Sequence, residues 1–201
     1  MNSVHNSLPL KRCFEIDMTQ IPTINTERLV LRPFQLDDAA IVQRLAGAWE
    51  VADTTGNLPH PYEDGMAESW IAGHEESFKA GETATFAVIL APAGSLVGAI
   101  GLTLDQGYQG ELGYWIGLPF WGKGYCTEAG RAMLVFAFND LKLQRVHAQA
   151  LKRNPASAKV MQKLGFSYEG TRRQHVLKWG KPEDVVLYGL MKVDYLATLE
   201  Q

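Results

Sequence analysis

One run of residues carries the densest chemical signal in this chain: Trp115-Ile116-Gly117-Leu118-Pro119-Phe120-Trp121-Gly122-Lys123-Gly124-Tyr125-Cys126-Thr127-Glu128-Ala129. A strand-like segment, Glu111–Ile116, precedes the glycine-rich turn, and a helical run, Thr127–Asp140, follows it. A turn placed there leaves backbone N–H groups unpaired at a helix N-terminus. Those groups and the helix dipole attract an anion, typically a phosphate. Gly122 and Gly124 let the backbone approach a bulky pyrophosphate, and Lys123 adds positive charge. The spacing is neither G-x-G-x-x-G nor a Walker A loop. An ordinary strand-to-helix turn has the same composition, so the loop by itself leaves both readings open.

Other reactive side chains are fewer. Cys126 falls at the helix start, where a thiol can be acidified. No partnered histidine stands near it in the sequence, which argues against its acting as a covalent nucleophile. His60, His74, His147 and His175 lack metal-ligand spacing, so no metal is expected. His147 in a strand and His74 on a helix face read as packing residues.

The elements that must position these groups follow from periodicity. Leu29–Leu31 suits a strand, and Asp37-Asp38 open a helix over Ala39–Ala48. A polar loop with Thr54, Gly56, Pro59 and Pro61 comes next. Met66, Trp70, His74 and Phe78 recur every four residues and predict a second helix, closed by Gly81. Thr85–Leu90, Leu96–Leu104 and Glu111–Ile116 predict three strands joined by short turns, hence an antiparallel meander. After the helix over Thr127–Asp140 come a strand, Arg145–Leu151, and a helix opened by Asn154-Pro155 and stopped by Gly165. Phe166–Arg172 and Val185–Lys192 predict two last strands around a polar loop. The order implies an α/β layer structure on a mixed sheet.

Composition bounds the rest. The 201 residues include 19 Lys plus Arg, 22 Asp plus Glu, and 46% hydrophobic residues, for a net charge of -3. That suits one globular domain and argues against a nucleic-acid binder, which is normally strongly basic. Cys13 and Cys126 are too few for a disulfide scaffold. No apolar run is long enough to span a bilayer, and Met1–Met18, with Lys11, Arg12, Glu15 and Asp17, does not read as a signal peptide. A cytoplasmic, membrane-free protein is expected. Residues 1–22 read as a partly flexible leader with a short ordered piece around Phe14–Ile16, ordered structure begins near Thr26, and residues 23–201 read as the domain.

The glycine-rich loop resembles motif A of the GNAT superfamily of acyl-CoA N-acyltransferases, and is closest to the RimJ/RimL-type branch. Trp121 stands where the motif carries Gln or Arg, Gly124 at its Gly, and Cys126 at its final small residue. Thr26-Glu27-Arg28-Leu29-Val30-Leu31-Arg32 is similar to the branch's opening strand, and Glu111-Leu112-Gly113-Tyr114-Trp115-Ile116 to its fourth. Asn154-Pro155-Ala156-Ser157, Lys163-Leu164-Gly165-Phe166 and Glu169-Gly170 are similar to motif B. The resemblance covers roughly residues 24–195.

That resemblance implies a GNAT-like fold, with a mostly antiparallel seven-stranded sheet and about four helices. It implies a bulged fourth strand that splays from the fifth. The pantetheine arm of acetyl-CoA would pair with Trp115, Ile116 and Gly117. Trp121 would belong to the cofactor site, the pyrophosphate would sit on Gly122, Lys123, Gly124, Tyr125, Cys126 and Thr127, and Asn154 and Ser157 would lie near the thioester. Glu111 is the implied general base and Ser157 the donor to the leaving thiolate, with Tyr168 as the reserve donor. Trp49, His60, Tyr62, His175 and Trp179 lie in or beside loops that would flank the acceptor mouth. The implied acceptor is a primary amine: a protein N-terminal α-amine, as in a ribosomal protein, or alternatively a small amine, amino acid or antibiotic. A non-catalytic acyl-CoA-binding module is the other class. The family implies a monomer or a homodimer.

Overall fold

Alternation with a period of two organises the centre of the molecule. In the strand Thr83–Leu90, Ala84, Phe86 and Val88 join one buried cluster, while Ala87 and Ile89 join a second. Side chains of successive strand residues point to opposite faces. Both faces of this sheet are therefore covered.

The computed structural model describes residues 18–105 and 107–199. Its strands are β1 (Ile24–Asn25), β2 (Leu29–Arg32), β3 (Thr83–Leu90), β4 (Ser95–Asp105), β5 (Gln109–Ile116), β6 (Arg145–Leu151), β7 (Ser167–Lys178) and β8 (Lys181–Met191). They form one sheet in the order β1-β2-β3-β4-β5-β6-β8-β7, in which β5–β6 is the parallel pair. The α-helices are α1 (Ala39–Ala46), α2 (Trp49–Thr54), α3 (Met66–Ala72), α4 (His74–Lys79), α5 (Tyr125–Val135), α6 (Pro155–Lys163) and α7 (Lys192–Leu199). Residues of α1, α2 and α3 pack with Ala87, Ala99 and Trp115 on one face, and those of α5 and α6 pack with Phe86, Ile100, Leu112 and Val146 on the other.

Several expectations need correction. The sheet has eight strands rather than seven, because Ile24 and Asn25 pair with Leu31 and Val30 ahead of the predicted first strand. Met18, Ile21 and Ile24 pack against the main core, so the chain is held from before Thr26. The ordered piece read around Phe14–Ile16 lies outside the described residues, as does Cys13.

Helices outnumber the predicted four. Gly73 divides the long amphipathic run into α3 and α4, and Trp49–Thr54 turns helical because Val51 and Ala52 are buried. The polar loop expected between the last two strands is instead the outer half of a long β7–β8 hairpin. Lys178 pairs with Lys181 across Trp179-Gly180, both at positive φ. Polar strand residues there escaped a pattern reading because an exposed hairpin arm buries no alternating apolar face.

The implied bulge is also absent from β5. Its register with β4 runs unbroken from Asp105↔Gln109 to Gly98↔Ile116, and the irregularity lies one strand away, between Val88 and Ile89. Among the described residues, no helix is long and apolar enough to cross a membrane.

Candidate active site

β5 and β6 begin together and then part. They pair from Gln109↔Arg145 to Glu111↔His147 and no further, while β6 keeps its register with β8 out to Leu151↔Val185. The peptide groups left over are identifiable. Gly117 N–H donates to Val97 O on the β4 side at 2.8 Å. In an antiparallel ladder, hydrogen-bonded and non-hydrogen-bonded pairs alternate. The backbone of Leu112, Tyr114 and Ile116 therefore turns toward the edge that β6 has left. A cavity of about 1000 Å³ occupies this gap and the space beneath α1–α3.

The glycine-rich turn closes one end. Gly122 and Gly124 take φ of 74° and 82°, and Gly124 caps α5 in the left-handed region that glycine adopts without strain. The first bond of α5 runs from Glu128 N–H to Gly124 O. The N–H groups of Tyr125, Cys126 and Thr127 thus lack intrahelical partners. Trp121 Nε1 donates to Ile116 O at 2.6 Å and locks the turn to the end of β5. Lys123 is exposed, its ammonium 5.6 Å from the Phe120 ring centroid.

The Thr26–Arg32 motif holds this turn from behind. Thr26 Oγ1 and Arg28 N–H donate to Glu128 Oε1 at 2.7 and 2.8 Å, and Arg28 Nε donates to Glu128 Oε2 at 2.7 Å. Arg28 also donates to Lys123 O at 3.1 Å and covers the Tyr125 ring. Burial alone would raise the Glu128 carboxyl, but the bonds from Thr26 and Arg28 outweigh it and hold the group below the usual carboxylate range.

Two polar groups line the cavity from β5 and from α6. On β5, Glu111 Oε1 accepts from Gln149 Nε2 of β6 at 2.9 Å. On α6, Ser157 Oγ lies 2.9 Å from Tyr114 OH, and Ser157 N–H donates to Asn154 Oδ1 at 3.1 Å. Asn154 caps α6 and also donates from Nδ2 to Thr54 O at 3.0 Å. Burial pushes the Tyr114 phenol up, which keeps it protonated.

Glu111, Trp115, Ile116, Trp121, Gly122, Gly124, Tyr125, Cys126, Thr127, Asn154 and Ser157 all line the cavity. Tyr168 does not join them. It is exposed on β7, its hydroxyl 2.7 Å from Thr171 Oγ1 and its ring edge-on to Tyr188. The strand beyond Gly165 carries it to the outer sheet edge. Cys126 lines the wall, and burial pushes its thiol up to about 12, against the acidifying effect of its helix position. Sequence reading missed Gln149 and Tyr114. Their pairings depend on the β5–β6 register and on where α6 lies, which no local pattern encodes.

The loops on the acceptor side behave unequally. Tyr62 lines the cavity. Trp49 and Trp179 stack at 5.1 Å with His60 edge-on to Trp49, outside the lining, and His175 meets Arg172 on the hairpin surface. Arg153 ties this region together, holding Asp53 through two nitrogens at 2.7 and 2.9 Å and Glu183 at 2.8 Å. That guanidinium keeps the Asp53 carboxyl below its ordinary value. Among the described residues, no group of three or more His, Cys, Asp or Glu is placed to hold a metal.

A split sheet whose gap ends at a helix-capping glycine turn defines an acyl-CoA N-acyltransferase architecture. The comparison with known families agrees: residues 28–167 match the acetyltransferase (GNAT) domain, and the chain belongs to that family. It is 29% identical over 177 residues to the uncharacterized N-acetyltransferase p20 of Bacillus licheniformis, covering 86% of this chain and 98% of the relative. It is 40% identical over 104 residues to the putative ribosomal N-acetyltransferase YdaF of Bacillus subtilis (strain 168), covering 51% of this chain and 57% of the relative. A GNAT-family acetyltransferase structure from Bacillus anthracis superposes with a TM-score of 0.75 at 26% identity, covering 85% and 98% of the two chains. Mycobacterium smegmatis RimJ, in complex with CoA-disulfide, shares the fold at a TM-score of 0.77 and 22% identity, covering 87% and 89%. The chain is thus a GNAT N-acetyltransferase, a member of an enzyme family.

Proposed function

We propose that this protein transfers the acetyl group of acetyl-CoA directly to a primary amine in a ternary complex, within the single domain spanning residues 23–201. The observation that carries this reading is the parting of β5 from β6 after Glu111, beside the uncapped N–H groups of α5. An extended polyamide arm can pair with the open edge that Leu112, Tyr114 and Ile116 present; of the expected Trp115, Ile116 and Gly117, Trp115 and Gly117 turn their backbone toward β4 instead. A pyrophosphate can accept from the turn Gly122–Thr127, with Lys123 nearby, while both N–H groups of Trp121 are engaged with Leu118 O and Ile116 O. Asn154 and Ser157 border the place where the arm's end would lie.

Acetyl-CoA, when bound, supplies an acyl group activated as a thioester. The chain does the rest. Glu111 accepts a proton from the incoming amine, directly or through one water, as the N–C bond forms. At pH 7 an α-amine is about 14% neutral and a lysine about 0.04%, so a lysine acceptor leans harder on this base. The Ile116 N–H, turned into the gap, stabilises negative charge on the acyl oxygen. As the C–S bond breaks, the Ser157 hydroxyl donates to the thiolate sulfur and recovers its proton from solvent.

The acceptor in this reading is a protein N-terminal α-amine, which the ribosomal description of the YdaF relative supports. A small amine is the second reading, favoured by the tied loops that roof the cavity. Calorimetry with acetyl-CoA, followed by thiol release across peptides and small amines, tests the proposal. Micromolar binding and amine-dependent release are expected. Binding without release from any amine leaves a non-catalytic acyl-CoA module, and no binding at millimolar concentration removes the reading altogether.

A further inference from the structure

The part of the cavity beneath α1–α3 has a distinct chemistry. Its walls include Leu58, Tyr62, Met66, Trp70, Trp115 and Val176. Among the described residues that line the cavity, Glu111 is the one carboxylate. Around the cavity, Asp53 and Glu183 are held by Arg153 and Asp64 by Gln43, while Glu68 stands exposed on α3, outside the lining, and acts on Tyr62. A second cationic centre on an acceptor would find no counter-charge in the cavity, and its desolvation would go uncompensated.

Gly113 lies between Glu111 and Trp115 on the same face of β5. A Cβ built on it would meet nothing within 4 Å, and its φ lies outside the left-handed region. Neither crowding nor backbone geometry requires a glycine here, although glycine weakens a strand interior. The missing side chain leaves open space beside the carboxylate.

The opposite side is closed by the segment from α2 to Tyr62. Trp179 Nε1 donates to Asp53 Oδ1 at 2.8 Å, Lys178 Nζ to Leu58 O at 3.2 Å, and Asn154 Nδ2 to Thr54 O at 3.0 Å. With Arg153 on Asp53, these bonds fasten the roof to the β7–β8 hairpin and to the start of α6. The space left beneath suits a compact group.

We infer that the acceptor is a primary amine carried on a compact apolar body, which packs on the bare backbone of Gly113 beneath Met66 and Trp70 with its nitrogen at Glu111. This rests on the acetyl-transfer reading above and narrows its substrate. Such an amine has two sources, a free monoamine or an N-terminal residue with an apolar side chain. Polyamines and aminoglycosides fall outside the class.

Thiol release from acetyl-CoA is measured with phenethylamine, phenylalaninamide, peptides beginning with Phe, Ala or Ser, spermidine and kanamycin. The kcat/KM of phenethylamine or of the Phe peptide is expected to exceed that of spermidine and kanamycin at least tenfold. The better of those two identifies the source. Gly113→Val is expected to raise the KM of the preferred amine tenfold or more, with the calorimetric Kd for acetyl-CoA unchanged and Tm not lowered. Gly113→Ala, which adds one methyl to open space, is expected to raise it about threefold.

Preference for a polycation, or for the Ser peptide over the Phe and Ala peptides, overturns the inference, as does an unchanged KM in both variants. Loss of acetyl-CoA binding by the unmodified protein, or binding with no turnover of any amine in the panel, removes the parent reading and the inference with it, whereas turnover with the wrong amine preference overturns the inference alone.

Discussion

The Tyr114 hydroxyl lies 2.9 Å from Ser157 Oγ and 3.2 Å from the Ser157 carbonyl oxygen. Tyr114 has one proton to place between them. If it donates to the carbonyl, its oxygen is left to accept the Ser157 hydroxyl proton. If it donates to Oγ, the Ser157 proton is free to point at a leaving sulfur. Tyr114 thus positions the proton that Ser157 would give. Tyr114→Phe keeps the ring and removes this choice. We expect kcat to fall about five- to twentyfold, the KM for acetyl-CoA to change less than twofold, and Tm to move by only a few degrees. A fall in kcat matched by an equal rise in KM would assign Tyr114 to packing alone.

In the proposed mechanism Glu111 takes the amine proton, and Gln149 donates to its carboxylate at 2.9 Å. General-base contributions are typically about 10²–10⁴-fold. Glu111→Gln should lower kcat by about a hundredfold and leave acetyl-CoA affinity intact in calorimetry. The loss should be greater for a lysine side-chain amine than for an α-amine, because its neutral fraction is smaller. Equal activity of the Gln variant across the pH range would remove Glu111 from the mechanism.

Cys126 sits at the helix start but is kept neutral by burial, with its pKa at about 12. A thiol so placed is a poor nucleophile at pH 7. Cys126→Ala is expected to retain at least a third of wild-type turnover, and mass spectrometry after acetyl-CoA alone should show no acetylated protein. A thousandfold loss, or a stable acetyl adduct on this residue, would reverse the direct-transfer reading.

His74 is buried against Phe34 and Trp70, its ring 4.4 Å from the indole, and among the described residues neither ring nitrogen has a partner. Burial lowers its pKa to about 4 from the usual 6.5. Between those values the unfolded chain binds a proton that the native state refuses, so stability falls as pH drops from 6.5 toward 4. The shift corresponds to about 3 kcal/mol, at 1.36 kcal/mol per unit. Urea unfolding at pH 7 and pH 4.5 should show this loss in the wild type and a clearly smaller one in His74→Phe. Parallel losses in the two proteins would put the acid sensitivity elsewhere.

Legibility in the sequence followed the range of the forces involved. The central meander, α5 and α6 could be read from alternation, helical spacing and the Asn154-Pro155 cap, all local signals. The turn at Gly122–Gly124 could be read because positive φ selects glycine. Arg28 and Glu128 each belong to a recognisable motif, yet nothing local says that they meet across 100 positions of chain. Tyr168 shows the opposite error. It has suitable chemistry and lies just past a suitable turn, but the direction of β7 carries it to solvent.

By itself, then, the amino-acid order determined the family, the order of the elements, and the loop that suits a phosphate, because backbone conformation and periodic burial are set by neighbouring residues. Only the tertiary structure decided that β5 leaves β6 after Glu111, that Gln149 reaches that carboxylate, that Tyr114 meets Ser157, and that Gly113 opens onto space. Those relationships arise from sheet register and from helices packed across it. Their energies are shared among residues far apart in the chain, so no short segment holds the information.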